Sequence, residues 1–352
     1  MAETAFTQEP RAPFAARALA FSTAFFFCTL TAGALVITLL GHTGSPGVTL
    51  NLDTLIESKP AAKPAATAAA AADVAPPPVT IDKPIYAGSA LVADPALIEN
   101  SPMGPLPRIA DDGRKPMAAY AAPAAAGKLR IAIVVSGLGI SAKSTTAALA
   151  SLPAGVTLGF APYAGDVQRW VSQARQFGHE VVLEVPMEPF DFPDSDPGPH
   201  TLRTGVDENS NLQRLTWTLS RITGYAGVTN LLGQRFLSSN GALSPAMTYL
   251  ARRGLYFYDN GAATQSVAPQ VAVSTATPFA QANKTLDSIQ TALEIDRQLS
   301  ALEDEARAHG SAIGSGFLYP VTVDRIAAWS KGLQGRGFVL VPVSAIVSAP
   351  KQ

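Results

Sequence analysis

Cysteine is almost missing from this sequence, and neither sign of charge is in excess. Cys28 is the single cysteine among 352 residues, so an internal disulfide framework is excluded. The 26 lysine and arginine residues nearly balance the 27 aspartate and glutamate residues, giving a formal net charge of −1. Because proteins that bind nucleic acids need an excess of basic residues facing the phosphate backbone, we expect no nucleic-acid partner.

Charged side chains are absent from one long segment near the start of the chain. Residues 18–41 would span roughly 36 Å as a helix at about 1.5 Å per residue, which is enough to cross a bilayer. Arg11 and Arg17 precede this segment, and the next charged residue after it is Asp53. The positive-inside rule therefore predicts a cytoplasmic N-terminus over residues 1–17 and a single inner-membrane anchor over 18–41.

The same rule places the rest of the chain in the periplasm or otherwise outside the cytoplasm. A cleaved signal peptide is the alternative, although the apolar region of a signal peptide is usually only about 7 to 15 residues long.

Large apolar side chains are scarce between residues 42 and 127, where alanine and proline dominate. Such a segment buries too little apolar surface to offset an ordering entropy of about 1 to 2 kcal/mol per residue. The composition therefore predicts a flexible, semi-extended linker between the anchor and a folded domain.

Strand and helix patterns alternate from residue 128 to residue 348. The run from Leu129 to Val135 is apolar except for Arg130, which is typical of a parallel strand covered on both faces. About seven βα units in one domain favour an α/β barrel of parallel strands, with functional groups at the strand ends. The predicted strands are 129–135, 156–160, 180–185, 227–231, 255–258, 312–316 and 338–342, and the predicted helices run from Ser141 or Ser144 to Pro153 and over 166–177, 210–222, 245–253, 285–309 and 321–333.

Short motifs follow several of the predicted strands. They read AlaProTyrAla at 161–164, ProMetGluPro at 186–189, GlyProHisThrLeu at 198–202, AsnLeuLeuGlyGlnArgPhe at 230–236, AspAsn at 259–260 and LeuValProValSer at 340–344. In this order and spacing, over about residues 129–347, they resemble the divergent polysaccharide deacetylase family, a branch of the NodB-like carbohydrate esterases. The resemblance implies a distorted (β/α)7 barrel, an envelope location and a carbohydrate-related role.

The resemblance also implies a metal site, and this chain departs from the site at each position. In the superfamily an aspartate acts as base, a second aspartate and histidines hold a divalent metal, and the metal activates water against an N-acetyl carbonyl. Leucine and phenylalanine offer a metal no lone pair. We therefore expect no metal, no cofactor and a pseudoenzyme. The substituted positions are Ser136 and Gly137 for the aspartate pair, Glu184 and Leu231 for two histidines, and Phe317 for a late histidine.

Carboxylates at strand ends remain candidates for acid–base chemistry without a metal. Glu184 is foremost, because apolar residues flank it on both sides and a carboxylate in such a place needs a partner. Glu188 and Asp259 complete the catalytic candidates, with hydrogen bonding to loop backbone as the alternative role. The residues predicted to bind a ligand are Tyr163, His200, Asn230, Arg235 and Tyr319.

Three functional hypotheses follow. The first is non-catalytic binding of a cell-envelope glycan or an envelope protein. The second is an active carbohydrate hydrolase or deacetylase with a rearranged carboxylate site, and the third is a structural envelope scaffold. Exposed aromatic side chains in a cleft would favour glycan binding, converging carboxylates would favour the enzyme, and a closed cleft with an exposed apolar patch would favour the scaffold.

Overall fold

A computed structural model describes residues 93–348 as an α/β domain built on one parallel, curled sheet. The sheet has nine strands, and a separate two-stranded antiparallel hairpin precedes it. The hairpin strands are β1 (Ile98–Ser101) and β2 (Gly104–Pro107), and the sheet strands are β3 (Leu129–Leu138), β4 (Thr157–Phe160), β5 (Val181–Met187), β6 (Gly227–Leu232), β7 (Tyr256–Asp259), β8 (Phe279–Gln281), β9 (Lys284–Thr285), β10 (Ser311–Phe317) and β11 (Phe338–Leu340).

The strand order is β8-β7-β6-β5-β4-β3-β10-β9, and β11 pairs with the first residues of β3. Strands β8 and β9 stand at the two ends of this path, although only Ala282 and Asn283 separate them in the chain. One short segment therefore pairs with β7 through β8 and with β10 through β9. The expected parallel α/β architecture of the NodB-like type is confirmed as this curled sheet.

Helices follow most strands and cover the outer face of the sheet. They begin where the sequence supplies caps: Ser141, Asp207 and Thr291 each accept a hydrogen bond from a backbone N–H in the first helical turn. The helices are α1 (Pro116–Ala119), α2 (Ala142–Ser151), α3 (Val167–Gln176), α4 (Glu208–Leu219), α5 (Gln234–Leu237), α6 (Asn240–Arg252), α7 (Ala268–Thr275), α8 (Ala292–His309) and α9 (Pro320–Ser330).

Alternation along β3 and β5 divides the core between the two faces of the sheet. Ile133 and Leu183 pack in the larger cluster under the helices, whereas Val134 and Val182 pack in a smaller cluster on the concave face. This division fixes which side chains of each strand point into the curled sheet.

Part of the predicted linker is folded. Residues 93–127 contain the hairpin and α1, and Leu97, Leu106 and Tyr120 are buried in the core. The prediction of a linker is therefore wrong over 93–127, because a few well-placed apolar side chains order a segment whose average composition is poor in them. Residues 42–92 lie outside the described part of the chain.

Two predicted helices begin elsewhere, and several short elements within residues 128–348 were missed, among them helix α5 and strand β9. The helix predicted over 285–309 starts only at Ala292, since Lys284–Thr285 pairs with β10 and the Leu286 amide donates to the Ser315 carbonyl. The helix predicted over 245–253 starts earlier and contains Pro245. Helix α7 and strand β8 were not predicted.

The predicted membrane anchor over residues 18–41 and the cytoplasmic segment 1–17 lie outside the described residues. Within residues 93–348, every helix is too short or too polar to cross a bilayer.

Candidate functional site

Glu184 is a fully buried carboxyl on the concave face of the sheet. It shares that face with Val182, two residues earlier on β5. Its Oε1 accepts a hydrogen bond from the Gly137 amide, while Oε2 has no partner among the described residues. Burial raises the pKa of Glu184 to about 8, against the opposing effect of the Gly137 donor. At neutral pH this carboxyl therefore holds its proton and has no access to solvent.

Two glycines lie beside Glu184, and a side chain at either position would come too close to a neighbouring side chain. A Cβ on Gly159 of β4 would lie 2.9 Å from the Ser136 hydroxyl and 3.2 Å from Glu184 Oε1. A Cβ on Gly137 would overlap the Phe317 ring, and Gly137 has a φ of +88° in the irregular stretch of β3. Glu184 is thus enclosed by Ser136, Gly137 and Gly159, with Phe317 against Gly137.

Two more buried hydroxyl groups lie near Glu184 on the concave face of the sheet. Thr229 lies opposite Glu184 in the register of β5 and β6, and its Oγ1 has no partner in residues 93–348. The Ser136 hydroxyl is likewise unpartnered within those residues. Around Glu184 the concave face therefore carries several buried polar oxygens.

The residues at the family's metal positions do not fit a divalent ion. Ser136 and Gly137 supply at most one neutral hydroxyl, and Leu231 and Phe317, both half-buried, supply no donor atom. In the described part of the chain, no group of three or more histidine, cysteine, aspartate or glutamate side chains converges as metal ligands would. Glu184, whose pKa burial raises, would have to ionise to act as a ligand.

Glu188 and Asp259 each hold loop backbone. The Glu188 carboxylate accepts hydrogen bonds from the Thr204 amide at 2.6 Å and the Thr204 hydroxyl at 2.8 Å. The Asp259 carboxylate accepts from the Gly261 amide at 2.9 Å, the Ser266 hydroxyl at 2.7 Å and Gln281 at 3.1 Å. Asp259 follows Tyr258, which faces the concave cluster, so strand alternation turns its side chain away from Glu184. The carboxylates do not converge on one reacting position.

Two of the predicted ligand-binding residues also make structural contacts. Asn230 donates to the Leu232 carbonyl at 2.7 Å and to the side chain of Asn260 at 3.0 Å. Arg235 donates to the carbonyl of Phe190 at 2.7 Å, in the loop after β5. These contacts fix the loops that carry exposed groups, among them the Phe190 ring.

Tyr319 lies beside the ring that covers Gly137. It stands directly before α9, and its ring centroid is 5.3 Å from that of Phe317. Both residues follow β10 and therefore lie at the carboxyl edge of the sheet.

Tyr163 and His200 do come together, and Trp217 joins them. The His200 ring stacks on the Trp217 ring with centroids 3.6 Å apart and an interplanar angle of 9°. The centroid of the Tyr163 ring lies 5.4 Å from that of Trp217, and the ring packs against Gly198. The Tyr163 hydroxyl accepts a hydrogen bond from the His200 amide at 3.0 Å. Tyr163 remains 40% exposed. We call these three residues the aromatic cluster.

Sequence reasoning missed Trp217 and Asp287. Trp217 lies within a predicted helix, and only the tertiary contact with His200 distinguishes it from any other helical aromatic residue. Asp287 accepts hydrogen bonds from the Phe317 amide at 2.7 Å and the Thr322 hydroxyl at 2.9 Å, and thereby positions the chain around Phe317. The predicted helix over 285–309 concealed this role.

Comparison with known proteins agrees with the fold. An uncharacterized protein, ATU2773 from Agrobacterium tumefaciens C58, has a crystal structure that is 42% identical in sequence, with a TM-score of 0.68 over 69% of this chain and all of that chain. Protein YibQ of Escherichia coli K12 is 25% identical over 233 residues, which cover 66% of this chain and 71% of YibQ. An uncharacterized protein of Haemophilus influenzae is 24% identical over 204 residues, 58% of this chain and 72% of its own.

The family profile of the divergent polysaccharide deacetylases matches residues 133–347, which run from the middle of β3 to the end of the described domain. This span contains Glu184, Ser136, Gly137, Leu231, Phe317 and the aromatic cluster. The chain therefore belongs to the divergent polysaccharide deacetylase family.

Proposed function

We propose that this domain is a non-catalytic, polysaccharide-binding member of its family. The carbohydrate connection comes from the family, and the aromatic cluster with the exposed Phe190 ring supplies side chains suited to packing against sugar rings. The observation that carries the non-catalytic part is the enclosure of Glu184, which is buried, bonded to the Gly137 amide and surrounded by positions without metal-ligating groups.

The rearranged hydrolase is less well supported. A general base must reach the proton that it abstracts, directly or through one water molecule. Glu184 is fully buried with a raised pKa, and Glu188 and Asp259 already accept two or three hydrogen bonds each. No pair of these carboxylates is arranged around an open position.

Metal loading and acetate release test the non-catalytic part. After incubation with Zn²⁺, Co²⁺ or Ni²⁺ and desalting, elemental analysis should find well below one equivalent of metal, and N-acetylated chitooligosaccharides should release no acetate. One equivalent of metal that Glu184→Gln abolishes would overturn this part of the proposal.

Direct titration with oligosaccharides tests the binding part. We expect Tyr163→Ala to weaken binding several-fold, because it removes the exposed ring of the aromatic cluster. Leu293→Ala is the matched control: Leu293 is 83% exposed, but it lies on the first turn of α8 outside the aromatic cluster. Equal losses in both variants, or no binding by the wild type to any polysaccharide, would contradict the proposal.

A protein partner is the second candidate, and exposed aliphatic residues favour it. Ile140, Ile289 and Leu293 are 67%, 58% and 83% exposed, in loops or first helical turns that follow β3 and β9. A groove of about 400 Å³ between α2 and α9 is lined partly by Leu318 and Val323. Such a surface would suit an envelope protein or a scaffold role.

We also propose that residues 18–41 anchor the protein in the inner membrane with the domain outside the cytoplasm. The uncharged length of this segment and the preceding Arg11 and Arg17 support the proposal. An alkaline phosphatase fused after Gln352 should be active, and a cytoplasmic reporter at the same site should be silent. The reverse result would refute the topology, and a mature N-terminus near Ala34 would show cleavage instead.

A further inference from the structure

Two arginines flank the aromatic cluster on one face of α4 and its end. Arg214 and Trp217 lie three residues apart on α4, and Arg221 follows the C-cap Ser220 at the end of this helix. The Arg221 guanidinium carbon lies 5.0 Å from the Trp217 ring centroid, and Arg214 donates to the Thr201 carbonyl at 2.7 Å. The arginines thus meet the same loop and ring that hold His200.

Neither guanidinium is neutralised by a carboxylate. Within residues 93–348, no ion pair closer than 4.0 Å involves Arg214 or Arg221, whereas Arg253, Arg325 and Arg336 each have a carboxylate partner. The positive charges act on the aromatic cluster: burial lowers the pKa of His200 first, and Arg214 and Arg221 lower it further.

The nearby carboxylates are engaged in local turns. Asp196, whose charge acts on Tyr163, accepts from the Gly198 amide at 2.8 Å. Asp207 caps α4 by accepting from the Ser210 amide at 3.0 Å and the Ser210 hydroxyl at 2.6 Å. These acids shape the loop and the helix start, and they leave both guanidinium groups without a counter-charge.

A partly exposed ring beside unpaired guanidinium groups suits a ligand with both an apolar ring face and an anionic group. Sugar rings pack on aromatic faces through their C–H groups, and arginine binds carboxylates with its planar fork of donors. A neutral glycan would use only the aromatic half of this arrangement.

We propose that the aromatic cluster, with Arg214 and Arg221, selects an acidic saccharide that carries a carboxylate on or next to the ring packed against Tyr163 and His200. The inference rests on the proposed polysaccharide-binding function and adds the chemical class of its ligand. Arg221 is exposed and is the principal carboxylate contact, while Arg214, tied to Thr201, holds the loop and adds charge.

Two probes that differ in charge test this inference on the full chain. Trigalacturonic acid and its fully methyl-esterified form present the same rings with and without carboxylates. By calorimetry at low salt, the acid should bind at least about tenfold more tightly than the ester, the equivalent of one charge-assisted hydrogen bond. The difference should shrink when salt is raised, because these charges are near the surface.

Arg221→Gln should remove most of the preference for the acid, measured as the ratio of the two affinities, and Arg214→Gln should reduce this ratio partly. Arg169→Gln is the matched control, since Arg169 is also exposed and lies 5.0 Å from a tryptophan ring, that of Trp170 on α3. Circular dichroism and thermal unfolding establish that each variant is folded.

The outcomes separate this inference from the proposed function. Equal binding of acid and ester would overturn the acidic preference while polysaccharide binding stands. A preference that Arg221→Gln leaves intact would overturn the assigned site. Competition by inorganic phosphate as strong as that by trigalacturonate would show a general anion site and refute saccharide selection. If neither probe binds and neutral N-acetylated oligosaccharides do not bind either, the proposed polysaccharide-binding function itself is refuted.

Discussion

The buried Glu184 side chain links three neighbouring strands at the centre of this domain. Its carboxyl reaches from β5 past Gly159 of β4 to the Gly137 amide of β3, and its second oxygen is left without a partner in the described structure. A buried carboxyl that lacks a counter-charge favours its protonated form, because desolvation penalises the anion. The same residue therefore ties three strands together and makes the domain sensitive to pH.

Glu184→Gln should remove a pH dependence of stability. The folded-state pKa of about 8 lies above the ordinary glutamate value of 4.5, so the folded protein holds the proton more tightly than the unfolded chain does. The contribution of Glu184 to stability is therefore fully present below about pH 4.5 and is lost at up to roughly 1.4 kcal/mol per pH unit as the pH rises to about 8. In urea unfolding, Glu184→Gln should match the wild type at pH 5 and exceed it at pH 8.

Glu208→Gln, on the exposed first turn of α4, is the control and should keep the pH profile of the wild type. A Glu184→Gln profile parallel to that of the wild type between pH 5 and pH 8 would show that the carboxyl is solvated in solution.

Gly137→Ala should cost more stability than an alanine at another left-handed glycine. Gly113 has a φ of +85° with no atom within 4 Å of a built Cβ, so Gly113→Ala measures the backbone cost alone, about 1 to 2 kcal/mol. Gly137→Ala adds an overlap with Phe317, which costs about 1 to 3 kcal/mol more. Adding Phe317→Ala should recover part of that second cost, and equal losses for the two glycine variants would contradict the close packing.

At the scale of elements, the segment before β3 is part of the domain. Ala122 donates to the buried Glu180 carboxylate at 3.3 Å, and the same carboxylate accepts from Tyr256 at 2.9 Å and Ser344 at 3.0 Å. Burial raises the pKa of Glu180, and these donors oppose the rise. One carboxyl thus joins the segment before β3, the sheet and the segment after β11.

A fragment that begins at Lys128 should be much less stable than one that begins at Ala93. The shorter fragment lacks Leu97, Leu106 and Tyr120, so core residues on both faces of the sheet would become exposed. Each large buried side chain that is lost should lower the free energy of unfolding by roughly 1.5 to 3 kcal/mol. Chemical denaturation of the two fragments measures the difference. Equal midpoints with equal m-values would show that residues 93–127 pack only loosely on the sheet.

At the scale of the whole molecule, the packing at the centre of the sheet depends on residues from several elements at once. Gly137 has room for no side chain because Phe317 covers it, and Phe317 is held by Asp287 from a loop that precedes α8. Metal ligands introduced at these positions one at a time would therefore disturb this packing and would lack supporting contacts.

The triple variant Ser136→Asp, Gly137→Asp and Leu231→His should release no acetate from N-acetylated chitooligosaccharides after metal loading. Aspartate at position 137 would overlap Phe317 in a backbone conformation that favours glycine, so the introduced ligands cannot be held in place. Adding Phe317→His tests whether the ring is the main obstacle. Acetate release by the triple variant alone would mean that the pocket has stayed organised for catalysis.

Sequence patterns determined most of the scaffold of this protein. A continuous apolar run identified β3, the cap of α2 was expected at Ser141 or Ser144, and the strand-end motifs identified the family, because periodicity, caps and turns are local properties of the chain. The same patterns failed where order depends on distant partners. Strands β8 and β9 are short, and their pairing with β7 and β10 stabilises them. Residues 93–127 are ordered by packing against the core of the domain, which their own composition does not predict.

The site divides in the same way. The sequence alone determined that Leu231 and Phe317 offer a metal no donor atom and that Ser136 and Gly137 offer at most one side-chain hydroxyl, since donor atoms are a property of residue type. Only the tertiary structure decided that Glu184 is sealed against the Gly137 amide, and that Trp217, Arg214 and Arg221 surround His200. Burial, pKa and the pairing of charges depend on which groups the fold brings within a few ångströms, and residues far apart in the chain carry no local signal of that proximity.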